Sequence, residues 1–145
     1  MEKYDTGTTL ELIDQLIEWY DEHSATASVG KLLDCQDKLS TLSWNLAELS
    51  GTTKEDYTYK YFIRKIEVNK TAQALIKSNA ETAMNKAISR SETTNKNLIE
   101  NEIKAEAAAY IADIKLKQVN RILSVMSQRI SHAKKLFELN QYIEN

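Results

Sequence analysis

Proline is absent from this chain, and glycine occurs three times, all of it before Thr52. These two residues end helices most reliably, and roughly ten of them would be usual between Thr52 and Asn145. Their absence excludes a turn-rich back two-thirds. It also excludes a glycine loop that cradles phosphate, a dinucleotide fingerprint and the strained turns on which nucleophiles often sit. Cysteine is limited to Cys35, which excludes an internal disulfide and a cysteine-based zinc site within one chain, and suits a reducing compartment. No run approaches the ~18 consecutive apolar residues of a membrane span. Met1-Glu2-Lys3-Tyr4-Asp5 lacks the basic and then apolar order of a signal peptide. The expectation is a soluble, cytoplasmic protein with no membrane partner.

Metal and catalytic chemistry are equally sparse. His23 and His132 lie far apart in the sequence, and neither has a second ligand at metal spacing. The Glu-x-x-His pairs of di-iron bundles are missing. Glu102 and Glu106 share a helix face, but beside Lys104 they read as a solvated edge. Cys35 falls in a leucine seam and reads as a small core residue. No cofactor, metal or catalytic residue is expected, and the protein reads as a non-enzyme.

What is present is helix-forming sequence and a charge polarity. The net charge of −2 hides it. Residues 1–51 carry three basic and ten acidic side chains (−7), and residues 52–145 carry sixteen and eleven (+5). An acidic front and a basic back can attract each other within a chain or between subunits, or the basic part can meet an anionic partner. Length and composition predict one all-α domain over 1–145, an elongated bundle of three to four helices with coiled-coil-like seams.

The first helix is expected to open on the capping box Thr8-Thr9-Leu10-Glu11, with Leu10, Ile13, Leu16, Ile17 and Tyr20 on one face. A small-residue joint follows over 24–28. The second helix, 29–50, carries Leu32, Cys35, Leu39, Leu42, Leu46 and Leu49 at heptad spacing, a seam for an intramolecular bundle or for a coiled coil between chains. Gly51 reads as its left-handed cap, and Thr52-Thr53-Lys54-Glu55 as the start of an antiparallel third helix, 55–90. Phe62, Ile66, Asn69, Gln73, Ile76, Ala80, Ala83 and Ala87 form its polar-centred seam. After a joint within 89–95, a fourth helix reaches about Tyr142, ~65 Å long if unbroken. Ile99, Ile103, Ala107, Tyr110, Ile114, Ile122, Val125, Ile130, Ala133 and Phe137 mark its stripe. Together these seams exceed what one thin monomer can cover, which predicts a homo-oligomer or an obligate complex.

Three clusters are candidate sites. Between Asp113 and Glu138 there is no acidic residue, and Lys117, Arg121, Lys134 and Lys135 form a cationic ridge suited to phosphates without base readout. Lys115 and Arg129 lie nearer the apolar stripe. At the start of the third helix, Tyr57, Tyr61, Arg64 and Lys65 can share a face. Aromatic and basic side chains interleaved in this way stack on single-stranded bases while neutralising their backbone. Near the acidic front, Trp19 and Tyr20 beside Asp21 and Glu22 are aromatic anchors for a basic protein partner, or else core aromatics.

The layout resembles that of the UvsY-type recombination mediators of tailed phages, and of small helical phage proteins generally. The parts that carry the likeness are a short N-terminal helix, the leucine-seamed helix, the segment DYTYKYFIRKIEVNKTAQALIKSN and the long C-terminal segment KAEAAAYIADIKLKQVNRILSVMSQRISHAKKL. The resemblance implies an all-helical oligomer that binds single-stranded DNA through basic residues and loads a recombinase in the host cytoplasm. The acidic first fifty residues depart from that pattern.

Overall fold

The computed structural model describes residues 5–144, save the side chains of Tyr142 and Glu144. Four helices account for nearly all of it: α1 (Thr6–His23), α2 (Val29–Lys77), α3 (Met84–Thr94) and α4 (Lys96–Glu144). No strand occurs among the described residues, so the all-α expectation holds. Asp5, not Thr8, caps α1: its carboxylate accepts the Thr8 amide at 2.7 Å. Aspartate caps as well as threonine and lies three residues earlier, so Thr8 and Thr9 join the helix and Thr9 is buried. That amide contact holds the Asp5 carboxyl below its ordinary value. The expected joint over 24–28 is present, with Ser28 Oγ accepting the Lys31 amide at 3.3 Å to open α2.

The predicted break at 51–53 is not there. α2 runs for 49 residues through Gly51, Thr52 and Thr53, and no glycine has a positive φ. The sides of the supposed joint are good helix, and one interior glycine costs only ~1 kcal/mol. Ser50 is buried, and Thr53 and Tyr57 are half-buried. Nothing lies within 4 Å of a Cβ built on Gly51. Gly51→Ala is therefore expected to raise stability by about 0.5–1 kcal/mol, read as a higher urea midpoint. An unchanged or lower midpoint would mean that glycine is needed there.

The chain reverses later, over 78–83. Asn79 takes the left-handed conformation at φ 57°, which asparagine tolerates better than other side chains. The Glu81 amide closes the reversal on Leu75 O at 3.2 Å. The predicted helix over 55–90 is thus cut at Lys77. The joint expected within 89–95 is the single residue Asn95, whose Nδ2 donates to Ser91 O at 2.9 Å and Thr71 Oγ1 at 3.2 Å.

Contacts divide the described residues into two compact units: those up to Ser50 with those from Ala112 onward, and Gly51–Ile111. The first packs α1, the front of α2 and the back of α4. Leu32, Cys35, Leu39, Leu42 and Leu46 are buried as the heptad predicts, with Ile13, Tyr20, Val119, Met126 and Ile130. The acidic front and the basic end of the chain do meet within this unit, as Lys115 Nζ pairs with Asp14 Oδ1. The second unit is a hairpin. Arg64 contacts Glu102 and Thr71 contacts Asn95, so α2 runs antiparallel to α3 and the start of α4.

Two predicted seams are only partly kept: Ile130 of the α4 stripe and Ala87 of the seam expected over 55–90 are buried, but several of their large members face outward. On α4 the buried line is Ala105, Ala109, Ala112, Val119, Met126 and Ile130, with Leu116 and Leu123 half-buried between. Ile103, Tyr110, Ile114, Val125 and Phe137 of the expected stripe are exposed. Alanines allow close approach of a neighbouring helix, and the larger line one residue further round is left outside. On α2, Val68 and Ala72 are buried, whereas Phe62, Ile66, Asn69 and Gln73 are exposed. This rotation keeps both amides in water, where they need no protein partner.

Candidate nucleic-acid and partner surfaces

The cations in the back half of α4 differ in their partners: Lys115 and the exposed Arg129 reach side chains of α1, whereas the others do not. Lys115 is engaged by Asp14 across the first unit, and the Arg129 guanidinium lies 5.5 Å from the Tyr20 ring centre. Lys117, Arg121, Lys134 and Lys135 are exposed. Lys117 reaches back to Asp113 on its own helix at 3.0 Å with 75% of its side chain in solvent, an exposed pair of little energetic weight. Lys117, Arg121, Gln128 and Lys135 follow one line of about 27 Å along the helix. Lys135 borders a shallow polar depression of about 360 Å³ with Ser127, Gln128, Ser131 and His132. Lys134 departs from the line. It turns to the flank, where it borders a smaller depression with Val29, Phe137 and Glu138.

The tyrosine cluster is brought together, as its spacing predicts, but within the hairpin unit it is largely self-engaged. The Tyr57 and Tyr61 rings lie 6.5 Å apart. Arg64 and Lys65 both sit over the Tyr61 ring, at 5.1 and 5.8 Å from its centre. Arg64 forms a two-pronged ion pair with Glu102, Nε to Oε2 at 2.6 Å and Nη2 to Oε1 at 3.0 Å. That hydrogen bonding pushes the guanidinium pKa further up. Partial burial, then the carboxylates of Glu106 and Glu102, raise the Tyr57 phenol. Lys65 is the exposed cation of the four.

The aromatic anchors separate. Tyr20, a partner anchor or a core aromatic on the sequence alone, is a core aromatic, buried at 6% exposure in the first unit. It lies on the inward face with Ile13, which the hydrophobic period of α1 already indicated. Trp19 is half-buried and stacks on His23 with ring centres 5.4 Å apart. It borders a groove of about 820 Å³ between α1 and α2, with Leu12, Leu16, Leu42 and Cys35 among its apolar walls and Lys31, Asp34, Asp37 and Lys38 among its polar ones. Cys35 is a core thiol, its pKa raised first by burial. Trp44 is 75% exposed and was missed as a surface feature. Its place opposite Leu39, Leu42 and Leu46 on the helical wheel was the available signal.

Among the described residues, no three His, Cys, Asp or Glu side chains gather as a cation-binding group, and no helix is long and apolar enough to cross a membrane. No family model matches the chain, and no curated protein or solved structure is similar to it.

Proposed function

We propose that the protein is a non-enzymatic, homo-oligomeric accessory factor of the recombination-mediator kind, which binds single-stranded nucleic acid without sequence preference through the outer face of α4. The observation that carries this reading is the sorting of cations on that helix. Lys115 and Arg129 are used within the fold, whereas Lys117, Arg121 and Lys135 stand in line on an exposed, acid-free stretch with Lys134 beside them. Such a line contacts phosphates by charge and counterion release and reads no bases. A single copy offers only three or four contacts. Oligomerisation repeats them, and avidity makes weak sites useful.

The test is binding of an unstructured oligonucleotide across a salt series. Three or four phosphate contacts give a slope of about −2 to −3 in log K against log salt. Changing Lys117, Arg121, Lys134 and Lys135 together to Gln is expected to bring that slope near zero. A wild-type protein that fails to bind at ~50 mM salt would overturn the reading. The α1–α2 groove would then support the alternative best, a protein-binding adaptor or inhibitor that seats a partner's amphipathic helix against Trp19.

A further inference from the structure

The last turns of α4 pack on nothing within their own unit. α2 starts at Val29, which borders Phe137, so α4 runs on past the start of α2. Every described side chain after Ala133 is exposed. This overrun is nevertheless apolar along one side. Leu136, Leu139 and Ile143 recur at i, i+3 and i+7 and are 48%, 54% and 72% exposed. That is the anchor spacing of a helix that lies in a groove. Helix stability in proteins comes mostly from packing an apolar face, and this face has no cover within its unit.

The same unit carries a groove that fits such a helix. It measures about 820 Å³ and is lined by α1 and α2 alone. Leu12, Leu16 and Trp19 form its α1 wall at i, i+4 and i+7. The wall is about 10 Å long, the same length as the line from Leu136 to Ile143. α4 continues as unbroken helix to Glu144, so its last turns do not fold back into the groove of their own chain. The groove and the overrun are therefore both open in one copy.

The charges identify the occupant. Gln15 marks the outer edge of the groove on α1, and Glu11, Glu18 and Glu22 share its side of the helix at i−4, i+3 and i+7. On α2 the groove is edged by Asp34 and Asp37 with Lys31 and Lys38. Five carboxylates outweigh two ammonium groups on this rim, and Lys38 is already paired with Asp34. On the overrun, Lys135 stands four residues before Leu139 and borders the apolar line, whereas Glu138 lies on the far side of the helix. An acidic rim around apolar walls is complementary to an apolar helix edged by a cation. We infer that the last turns of α4 of one copy lie in the α1–α2 groove of a second copy, with Leu136, Leu139 and Ile143 against Leu12, Leu16 and Trp19. The contact joins two different surfaces. It leaves one groove and one helix end open on every pair, so copies add head to tail.

The inference rests on the oligomer part of the proposed function, and of the α4 cationic line only Lys135 borders the contact. Its test is the mass of the full chain without nucleic acid, by sedimentation across micromolar concentrations. Wild type is expected to rise with concentration past twice the chain mass of 16.6 kDa. Leu139→Ser with Ile143→Ser removes two anchors that are exposed in the single copy, and Gln15→Arg with Thr41→Arg fills the groove from two exposed positions on its edges. Each double variant should keep its helical content and associate about a hundredfold more weakly. Mixed one to one, the two should recover a complex of two chains that grows no further, because the first keeps its groove and the second its helix end. A wild type that stays monomeric would leave the groove to a foreign helix, and one that stops at two copies would mean a symmetric pair; either overturns the inference. So would a groove variant that associates like wild type, or a mixture that stays monomeric. Salt-dependent nucleic-acid binding that persists in a monomeric Leu139→Ser, Ile143→Ser variant would leave the cationic line standing on its own.

Discussion

Leu39→Ala is expected to cost about 3 kcal/mol, roughly half the stability of a unit this small. Leu39 has no exposed surface and lies in the middle of the heptad that α2 contributes to the first unit, in one cluster with Ile13, Leu46, Val119 and Met126. Truncation removes three buried carbons and leaves a cavity among three helices. The remaining large side chains there are already interlocked at heptad spacing, so the void closes poorly. At about 4–8 °C per kcal/mol for a unit under a hundred residues, the melting temperature should fall by roughly 12–24 °C. Trp44→Ala is the control. It removes a larger side chain from the same helix, but one that is 75% exposed, and is expected to stay within about 0.5 kcal/mol of wild type. Urea unfolding followed by circular dichroism measures both. A Leu39→Ala midpoint close to the Trp44→Ala midpoint would show that the leucine seam does not hold this unit.

That contrast also shows what was legible in the sequence. The leucine seam could be read because large apolar residues recurred with polar residues between them, and one face was the obvious choice. On α4 two candidate lines ran side by side. The isoleucine line is the more hydrophobic, yet the line through Ala105, Ala109 and Ala112 is the buried one. Hydrophobicity ranks residues by transfer from water, whereas helix pairing also depends on how closely two backbones can approach, and alanine wins on that count. The Asn79 reversal was passed over for a related reason. The sequence points to Gly51 as a left-handed cap, whereas the chain uses Asn79 for that role. At Gly51 the opposite holds: a residue that permits a break does not force one when both flanks are helical.

The candidate surfaces follow the same logic. The cationic ridge could be recognised because an acid-free stretch needs no tertiary information, and its exposed residues fall where the wheel puts them. Arg64 looked available for an anion because its partner, Glu102, lies 38 residues away in sequence. On the sequence alone Glu102, beside Lys104, reads as part of a solvated edge. Pairing across a hairpin cannot be read from either helix alone once the reversal point has been misplaced.

The Arg64–Glu102 pair carries the second large expected effect. The Glu102 side chain is 11% exposed and that of Arg64 24%, so both charges are mostly removed from water and each depends on the other. Glu102→Ala should cost about 3 kcal/mol, at the low end for a broken buried pair because the guanidinium keeps some access to solvent. Arg64→Met should cost less than Glu102→Ala, since its stem packing is replaced. The double variant Arg64→Met, Glu102→Leu should recover most of the loss or exceed wild type, because two apolar side chains of similar size bury without desolvating charge. The double-mutant cycle therefore should show a coupling of about 2 kcal/mol. Losses that simply add would mean that the two side chains are neighbours without being partners. The pair also has a structural consequence beyond its energy. A polar contact in a helix seam penalises every register except the one that closes it. Apolar substitution should therefore keep the hairpin stable but less strictly aligned. The Met/Leu variant is thus expected to unfold at a urea midpoint at or near that of wild type while its hairpin amides exchange faster, a separation that hydrogen exchange and urea unfolding of the same preparation would measure directly.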